Sequence, residues 1–584
     1  MATKKTLMNG KNSIELLQQR IQAARRQIPC DLLLKKGRVV NVFSGEILEQ
    51  DVAVHQGLIV GVGQGYAGLE EVDIQGRFIA PGMIDGHMHV ESTMLLPSRL
   101  AAALLAHGTT AIVSDPHEIA NVMGLDGIRF MLRESDSLPL DLFFMAPSCV
   151  PATDLETSGA SLDQDALASL KGEPRILGLA EMMNYPGVLR GDETILAKLE
   201  LFKGSVIDGH APSLTGSDLQ AYCAAGVQSD HETGDLREAE EKLRAGMVIL
   251  IREGTSAKNL EALAPLVNRQ NSRRFCLVTD DLHPEDLLEK GHLDPVLRKA
   301  VHSGLDPLTA LQMVTLNPAE FFRLRDRGAV APGYRADLVV MENLETFAVH
   351  RVYKDGRLVV EDGTLCVALK KSEEESLPSW PVRIAPLRAE TFRIRKESPK
   401  ARVIDVIPGQ ILTRERLEDV LSVDGWVVSD IHKDVLKLMV LERHQGTGRI
   451  GRGLVHGFGL QKGALASSVA HDSHNLIAVG VEDLDLRTAV DEVRRMGGGL
   501  VAAEAGRVLA SVPLAIGGLM SKAPLESLGH QLRALSLAAK SLGCILTEPF
   551  MALSFLSLPV IPELKLTDRG LVDVRTFHHV PLFV

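Results

Sequence analysis

Two histidines separated by one residue, His87 and His89, close a short apolar run that begins at the turn Pro81-Gly82. In an extended strand, residues i and i+2 share a face, so both imidazoles can aim at one point. Neutral imidazole is a common ligand for divalent metals, although a His-x-His pair by itself is a weak sign of one. More candidates follow strand-like apolar runs downstream: Glu181 after 176–180, His210 after 206–209, His231 after 226–230 and Asp280 after 275–279. Four imidazoles and two carboxylates suit two divalent ions, with Glu181 able to bridge them. Paired ions lower the pKa of water and hold it where it must attack. Asp280, ligating on one side, is placed to take and return that water's proton. This is hydrolytic chemistry on an electrophilic carbon.

Such residues converge only if the strands carrying them end on a common face. Between Gly82 and Asn317, the runs at 111–113, 142–145, 176–179, 206–209, 247–250 and 275–278 alternate with amphipathic helical stretches. That alternation predicts a (β/α) barrel, whose active site forms at the C-terminal ends of its strands. A doubly wound sheet is the second reading, but no Gly-x-Gly-x-x-Gly opens a helix after a strand. Short β-like runs fill 31–79, and the same pattern recurs at 336–340 and 349–360, with the hairpin-like Lys354-Asp355-Gly356-Arg357. One β domain interrupted by a large insertion explains both blocks. The expected boundaries are a helical extension at 1–30, β-sandwich parts at 31–80 and 329–370, a catalytic barrel at 81–328, and an α+β tail at 371–584. The charged stretch 370–376, with Pro378 and Pro381, reads as a linker. Gly497-Gly498-Gly499 and Gly517-Gly518 read as tight turns or loops, since no Lys-Ser/Thr follows as in a phosphate cradle.

Composition narrows the partners. A chain of 584 residues is too long for one core and predicts roughly three or four units. A formal charge of −12, with aromatics at only 4%, argues against affinity for nucleic acid or an anionic membrane. The first 27 residues have no apolar signal core. The apolar stretch 542–561 is broken by Glu548, Pro549 and Pro559, so no membrane span is expected. Six cysteines are scattered without a Cys-x-x-Cys, as reduced thiols of a cytoplasmic protein would be.

Pro81-Gly82-Met83-Ile84-Asp85-Gly86-His87-Met88-His89 resembles the first-strand motif of the amidohydrolase superfamily, and the order from His87 to Asp280 matches its metal ligands. Four further motifs resemble the bacterial adenine deaminase family: His89-Val90-Glu91-Ser92, Ser114-Asp115-Pro116-His117-Glu118-Ile119-Ala120-Asn121-Val122, Ala180-Glu181-Met182-Met183-Asn184 and Thr279-Asp280-Asp281-Leu282-His283-Pro284. The likeness runs from about Asp31 to the C-terminus. Where many relatives in the superfamily bridge their metals with a carboxylated lysine, this chain has Glu181, as the adenine deaminases do. The resemblance implies an α/β fold: a (β/α)8 TIM-like metal-dependent hydrolase barrel inserted in a small β-sandwich, plus the C-terminal α+β domain. It implies adenine deamination to hypoxanthine and ammonia in purine salvage, by metal-held hydroxide attacking C6. Two manganese or iron ions are expected, with zinc also compatible, held by His87, His89, Glu181, His210, His231 and Asp280. The expected partner is a small purine, and the expected assembly a homodimer.

Glu91, His117 and Glu118 are expected at the ends of the first two strands, in contact with purine ring nitrogens, Glu118 also acting in catalysis. A supporting hydrogen-bond network is the other reading of His117 and Glu118. The polar stretch 467–475, including His471 and His474, reads as a solvated loop, with closure of the barrel mouth or ion binding as the alternatives. Asp281 and His283 read as neighbours of the site. A cyclic-amide or dipeptide hydrolase on the same centre is the competing activity; a substrate carboxylate would need a cation, for which Arg252 and Arg190 are nearest. A scaffold that had lost its metals would not be expected to keep all six ligands.

Overall fold

Twelve residues, Cys30–Asn41, form a single long strand, β1, in the region where short β-like runs were expected. A register shift between Leu34 and Gly37 bends it, so that its two halves find different partners. Beside β2 (Glu46–His55) and β3 (Leu58–Val62), its first half pairs in parallel with β4 (Gly68–Asp73) and its second with β5 (Phe78–Pro81). Leu32, Leu34, Val52 and Val54 point into one apolar filling. Leu33, Ala53 and Val60 face the opposite way, against Ala23 of the helix Ala2–Ala24. This computed structural model describes residues 2–255, 257–369, 382–388 and 390–584; the expected linker with Pro378 and Pro381 lies outside the described residues.

After β5 the chain alternates strand and helix. Five parallel strands, β6 (Met83–Met88), β7 (Thr109–Ser114), β8 (Asp141–Ala146), β9 (Ile176–Met182) and β10 (Val206–Gly209), pair in sequence order. Three more, β11 (Ser229–Asp230), β12 (Val248–Arg252) and β13 (Phe275–Val278), form a second parallel ladder. The two ladders touch at both ends. Gln228 N donates to Ile207 O at 3.0 Å, and just past β13 Asp280 N donates to His87 O at 3.0 Å. The junctions stay narrow because β11 is two residues long and because Asp280, at φ 58°, turns the backbone out of the ladder.

The chain then returns to its first sheet. Strands β14 (Leu338–Met341), β15 (Val349–Lys354), β16 (Arg357–Glu361) and β17 (Thr364–Leu365) join through β14 and β5, giving one nine-stranded ladder rather than two separate sheets.

The tail builds an eight-stranded sheet of its own. Its strand Val435–Leu441 is buried on both faces: Leu436, Leu438 and Val440 join the main core, while Met439 and Leu441 pack under the helix Asp483–Met496. Gly497 ends that helix in the left-handed conformation, at φ 76°. A Cβ on Gly498 would lie 2.4 Å from Gly518 Cα, so the two glycine runs are turns pressed against each other. Strands Ala464–Ser467 and Leu476–Gly480 pair antiparallel and present the intervening tip, 468–475, at one end. Among the described residues no helix is long and apolar enough to cross a membrane.

Candidate metal centre and active site

The six expected donors meet around Glu181. Its Oε1 lies 3.5 Å from His89 Nε2 and 4.0 Å from His87 Nε2; its Oε2 lies 2.8 Å from His210 Nδ1 and 3.3 Å from His231 Nε2. Asp280 Oδ1 closes the group at 3.2 Å from His89 Nε2 and 3.6 Å from His87 Nε2. Strand geometry explains the convergence. His87 lies at the end of β6 and His89 just past it, Glu181 on β9, His210 just past β10, His231 just past β11 and Asp280 just past β13. Buried Asp85 ties β6 to the Asp280 turn, accepting from Thr279 Oγ1 at 2.6 Å and from His87 N at 3.2 Å.

These residues fit a divalent metal, and the fit can be read from the ring nitrogens. His87 Nδ1 is held by Asp208 Oδ2 at 3.1 Å, and His89 Nδ1 by the Asp115 carbonyl at 3.1 Å. Each outer partner fixes the proton on Nδ1 and leaves the Nε2 lone pair facing the carboxylates. His87 Nε2 is buried and has no hydrogen-bond partner. Burial opposes a charge on His87, yet Asp208 and Asp280 raise its pKa to about 10. For Glu181, burial is outweighed by His231 and His210, which hold its carboxyl well below the usual range. The centre therefore favours positive charge, which a divalent ion would supply in place of those protons.

Two supporting groups, Asp208 and Glu232, are not singled out in the reading of the sequence, and a third, Arg252, has a different role from the one expected. Asp208 lies two residues before His210, and that spacing was the available signal. Arg252, considered only as a clamp for a substrate carboxylate, instead donates to Asp280 Oδ2 at 2.7 Å and to Glu232 Oε1 at 2.6 Å. Burial would raise the Asp280 pKa, but Arg252 foremost holds it well below the carboxylate range. Glu232 also lies 3.6 Å from both His210 and His231.

Facing this centre, His117 and Glu118 begin the helix His117–Glu134. His117 Nδ1 contacts Asp115 Oδ2 at 2.9 Å and lies 3.6 Å from Glu181 Oε1. The expectation of a solvated loop at 467–475 is wrong: His471, Asp472, His474 and Asn475 are all buried. His471 Nδ1 lies 3.2 Å from Glu118 Oε1, and His474 Nε2 3.9 Å from Glu118 Oε2. Burial is overcome by Glu118, which pushes His471 up to about 9; His471 in turn holds Glu118 well below its ordinary value. Glu118, His471 and His474 resemble an ion site, but His474 Nδ1 accepts from Ala470 N at 3.2 Å. Its ring proton then sits on Nε2, leaving no lone pair for an ion. Glu91 is placed apart. Its Oε1 accepts from Ile119 N at 3.1 Å, and it lines a smaller cavity behind His471 with His283. Burial and then Glu118 push the Glu91 pKa up to about 7.

Between the metal-type donors and Glu118 lies a cavity roofed by Ile411, Phe555, Leu558 and Ile561 of the tail. Phe555 stacks on His471 with ring centroids 4.5 Å apart. A larger vestibule of about 830 Å³ shares Met183, Glu232, Arg252, Ile411 and Ile561 with it and leads outward past Tyr185 and Phe577.

Residues 78–359 match the amidohydrolase family, which together with this donor set defines a metal-dependent α/β hydrolase. Residues 410–578 match the adenine deaminase C-terminal domain. An adenine deaminase of Desulfatibacillum aliphaticivorans is 52% identical over 97% of this chain and 99% of its own length. Adenine deaminases of Dehalococcoides mccartyi strain 195 and Methanothrix thermoacetophila are 48% and 47% identical, each over 97% of this chain and 99% of its own length. The chain belongs to the adenine deaminase family.

Proposed function

We infer that this chain deaminates adenine: a water adds to C6, the bond from C6 to the exocyclic nitrogen breaks, and hypoxanthine and ammonia leave. The full-length match to adenine deaminases carries this reading. His87, His89, Glu181, His210, His231 and Asp280 would hold two divalent ions, manganese or iron, with zinc compatible with the same mixed donors. The division of Glu181, with Oε1 toward His87 and His89 and Oε2 toward His210 and His231, supports its role between two ions. When bound, such ions lower the pKa of water and hold it for attack. Asp280 takes a proton from the attacking water and passes it to the departing amine. Arg252 makes Asp280 a weak base but a ready proton donor, which suits the second half of that transfer. Glu118, paired with His471 at 3.2 Å, meets a purine ring nitrogen, with His117 beside it; Glu91 supports the wall by holding Ile119.

Two features support reading the eight parallel strands as one closed (β/α)8 barrel: the Met88–Asp280 bridge and the Gln228–Ile207 hydrogen bond. In this layout the barrel, 81–328, interrupts a β domain of 31–80 and 329–370, with a helical extension at 1–30 and the tail at 371–584. A dipeptide or cyclic-amide substrate bearing a carboxylate finds no free cation here. Among the described residues lining the cavity, Arg252 is the one lysine or arginine, and it is already paired with two carboxylates.

The test is ammonia release and the ultraviolet change on adding adenine to Mn²⁺-loaded protein, beside Asp280→Asn. Turnover by the natural chain and its loss in the variant are expected. No turnover from protein carrying two metals would reject adenine as substrate.

A further inference from the structure

The tip 468–475 brings one more carboxylate to the cavity, and that carboxylate is incompletely satisfied. Asp472 is 3% exposed and lines the same space as Glu118, His231 and Asp280. Its Oδ1 lies 3.7 Å from His471 Nδ1 and 3.9 Å from His117 Nε2, both beyond hydrogen-bond length. Its Oδ2 is buried with no hydrogen-bond partner, a costly arrangement for a carboxylate. Among the described residues, no lysine or arginine pairs with it.

Nor can the tip relax away to solvate it. Fully buried Arg443 donates to Gly517 O at 2.9 Å and to the His474 carbonyl. Beside it, Asn475 Nδ2 donates to Thr157 O at 2.8 Å, and on the other flank His471 N donates to Ser554 O at 3.0 Å. The tip is therefore held in place, with Asp472 in the cavity wall and one of its carboxylate oxygens unpaired.

We propose that Asp472 is a substrate-binding residue whose carboxylate accepts the N–H of the purine's five-membered ring. This rests on the adenine reading above. Adenine offers two kinds of donor, the exocyclic amine on C6 and the ring N–H. C6 must face Glu181 and Asp280, where the reaction occurs. The His117 ring stands between the two sides, its Nδ1 3.6 Å from Glu181 and its Nε2 3.9 Å from Asp472. Asp472 is thus one imidazole further out than Glu181, on the side where a fused bicyclic base carries its second ring. The C-terminal domain, on this account, reads the part of the base that the metal centre does not touch.

The experiment uses the full chain loaded with Mn²⁺, as Asp472→Ala and as the isosteric Asp472→Asn. Metal content, melting temperature, adenine kcat and KM, and inhibition by unsubstituted purine are measured. Purine keeps the ring N–H and lacks the amine. For Asp472→Ala, adenine KM and purine Ki should rise together by about ten- to a hundredfold, the range for a hydrogen bond to a charged group. The metal content and kcat should stay near those of the natural chain, as they would for a group lost from binding alone. Asp472→Asn, which keeps an acceptor but no charge, should fall between. If Asp472→Ala does not fold, an unchanged purine Ki in Asp472→Asn overturns the proposal. So does a raised adenine KM with unchanged purine Ki, which would assign the contact to the amine, or a loss of bound metal, which would make Asp472 a ligand. Adenine turnover by the natural chain is the control that separates these outcomes from failure of the deaminase reading.

Discussion

Arg252 shows how one side chain decides what its neighbours can do. It is buried between Glu232 and Asp280, with a guanidinium that donates to both. Without it, two carboxylates would share a desolvated wall with no fixed cation, and the proton affinity of Asp280 would rise. Removing one partner of a buried ion pair typically costs about 3–5 kcal/mol. Arg252→Met should therefore lower the melting temperature of metal-free protein by an amount in keeping with that range. Arg252→Lys, keeping the charge but not the fork, should lose less. Equal melting of all three proteins would mean that the triad contributes nothing net to stability.

At the scale of elements, one lysine ties together two segments of the roof over the cavity. Lys565, on the strand Leu564–Thr567, is fully buried and donates to Ile411 O at 2.9 Å and to Phe555 O at 3.0 Å. Ile411 and Phe555 are the roof residues themselves. Burial pushes the Lys565 ammonium down to about 7. An unfolded lysine keeps its proton to roughly 10.4. Between those pH values the unfolded chain binds more protons, so this residue makes stability rise with pH; below about 7 both states are protonated and its penalty is complete. The gain from pH 7 to 10 is on the order of a few kcal/mol. Melting curves at pH 7 and 9.5 should show the natural chain gaining stability relative to Lys565→Met as pH rises. Parallel pH dependence in the two proteins would show that Lys565 carries no such penalty.

At the scale of the molecule, the cavity has two owners: the parallel strands supply the metal-type donors, and the tail supplies His471, Asp472 and the apolar roof. Binding of unsubstituted purine to the metal-loaded chain should slow amide hydrogen exchange at 468–475 and in Phe555–Ser557 as well as at 117–119. Protection confined to the strand ends would show that the tail closes over the site without taking part in binding. The same division governs what could be read from sequence. The sequence by itself picked out the six side chains that converge around Glu181, because their residue types are those that ligate metals and, for His87 and His89, a shared direction follows from strand periodicity. It also determined that the β blocks on either side of the insertion belong together, since like patterns pair along one sheet edge. Only the tertiary structure decided the rest. Asp208 reaches His87 across 121 residues, Arg252 is consumed by ion pairs instead of awaiting a substrate, and Glu91 turns toward a separate cavity. The tip at 468–475 is the clearest case. Its histidines and aspartate read as solvated while their partners were unknown, because polarity in a sequence signals water unless a fixed charge elsewhere in the chain takes water's place.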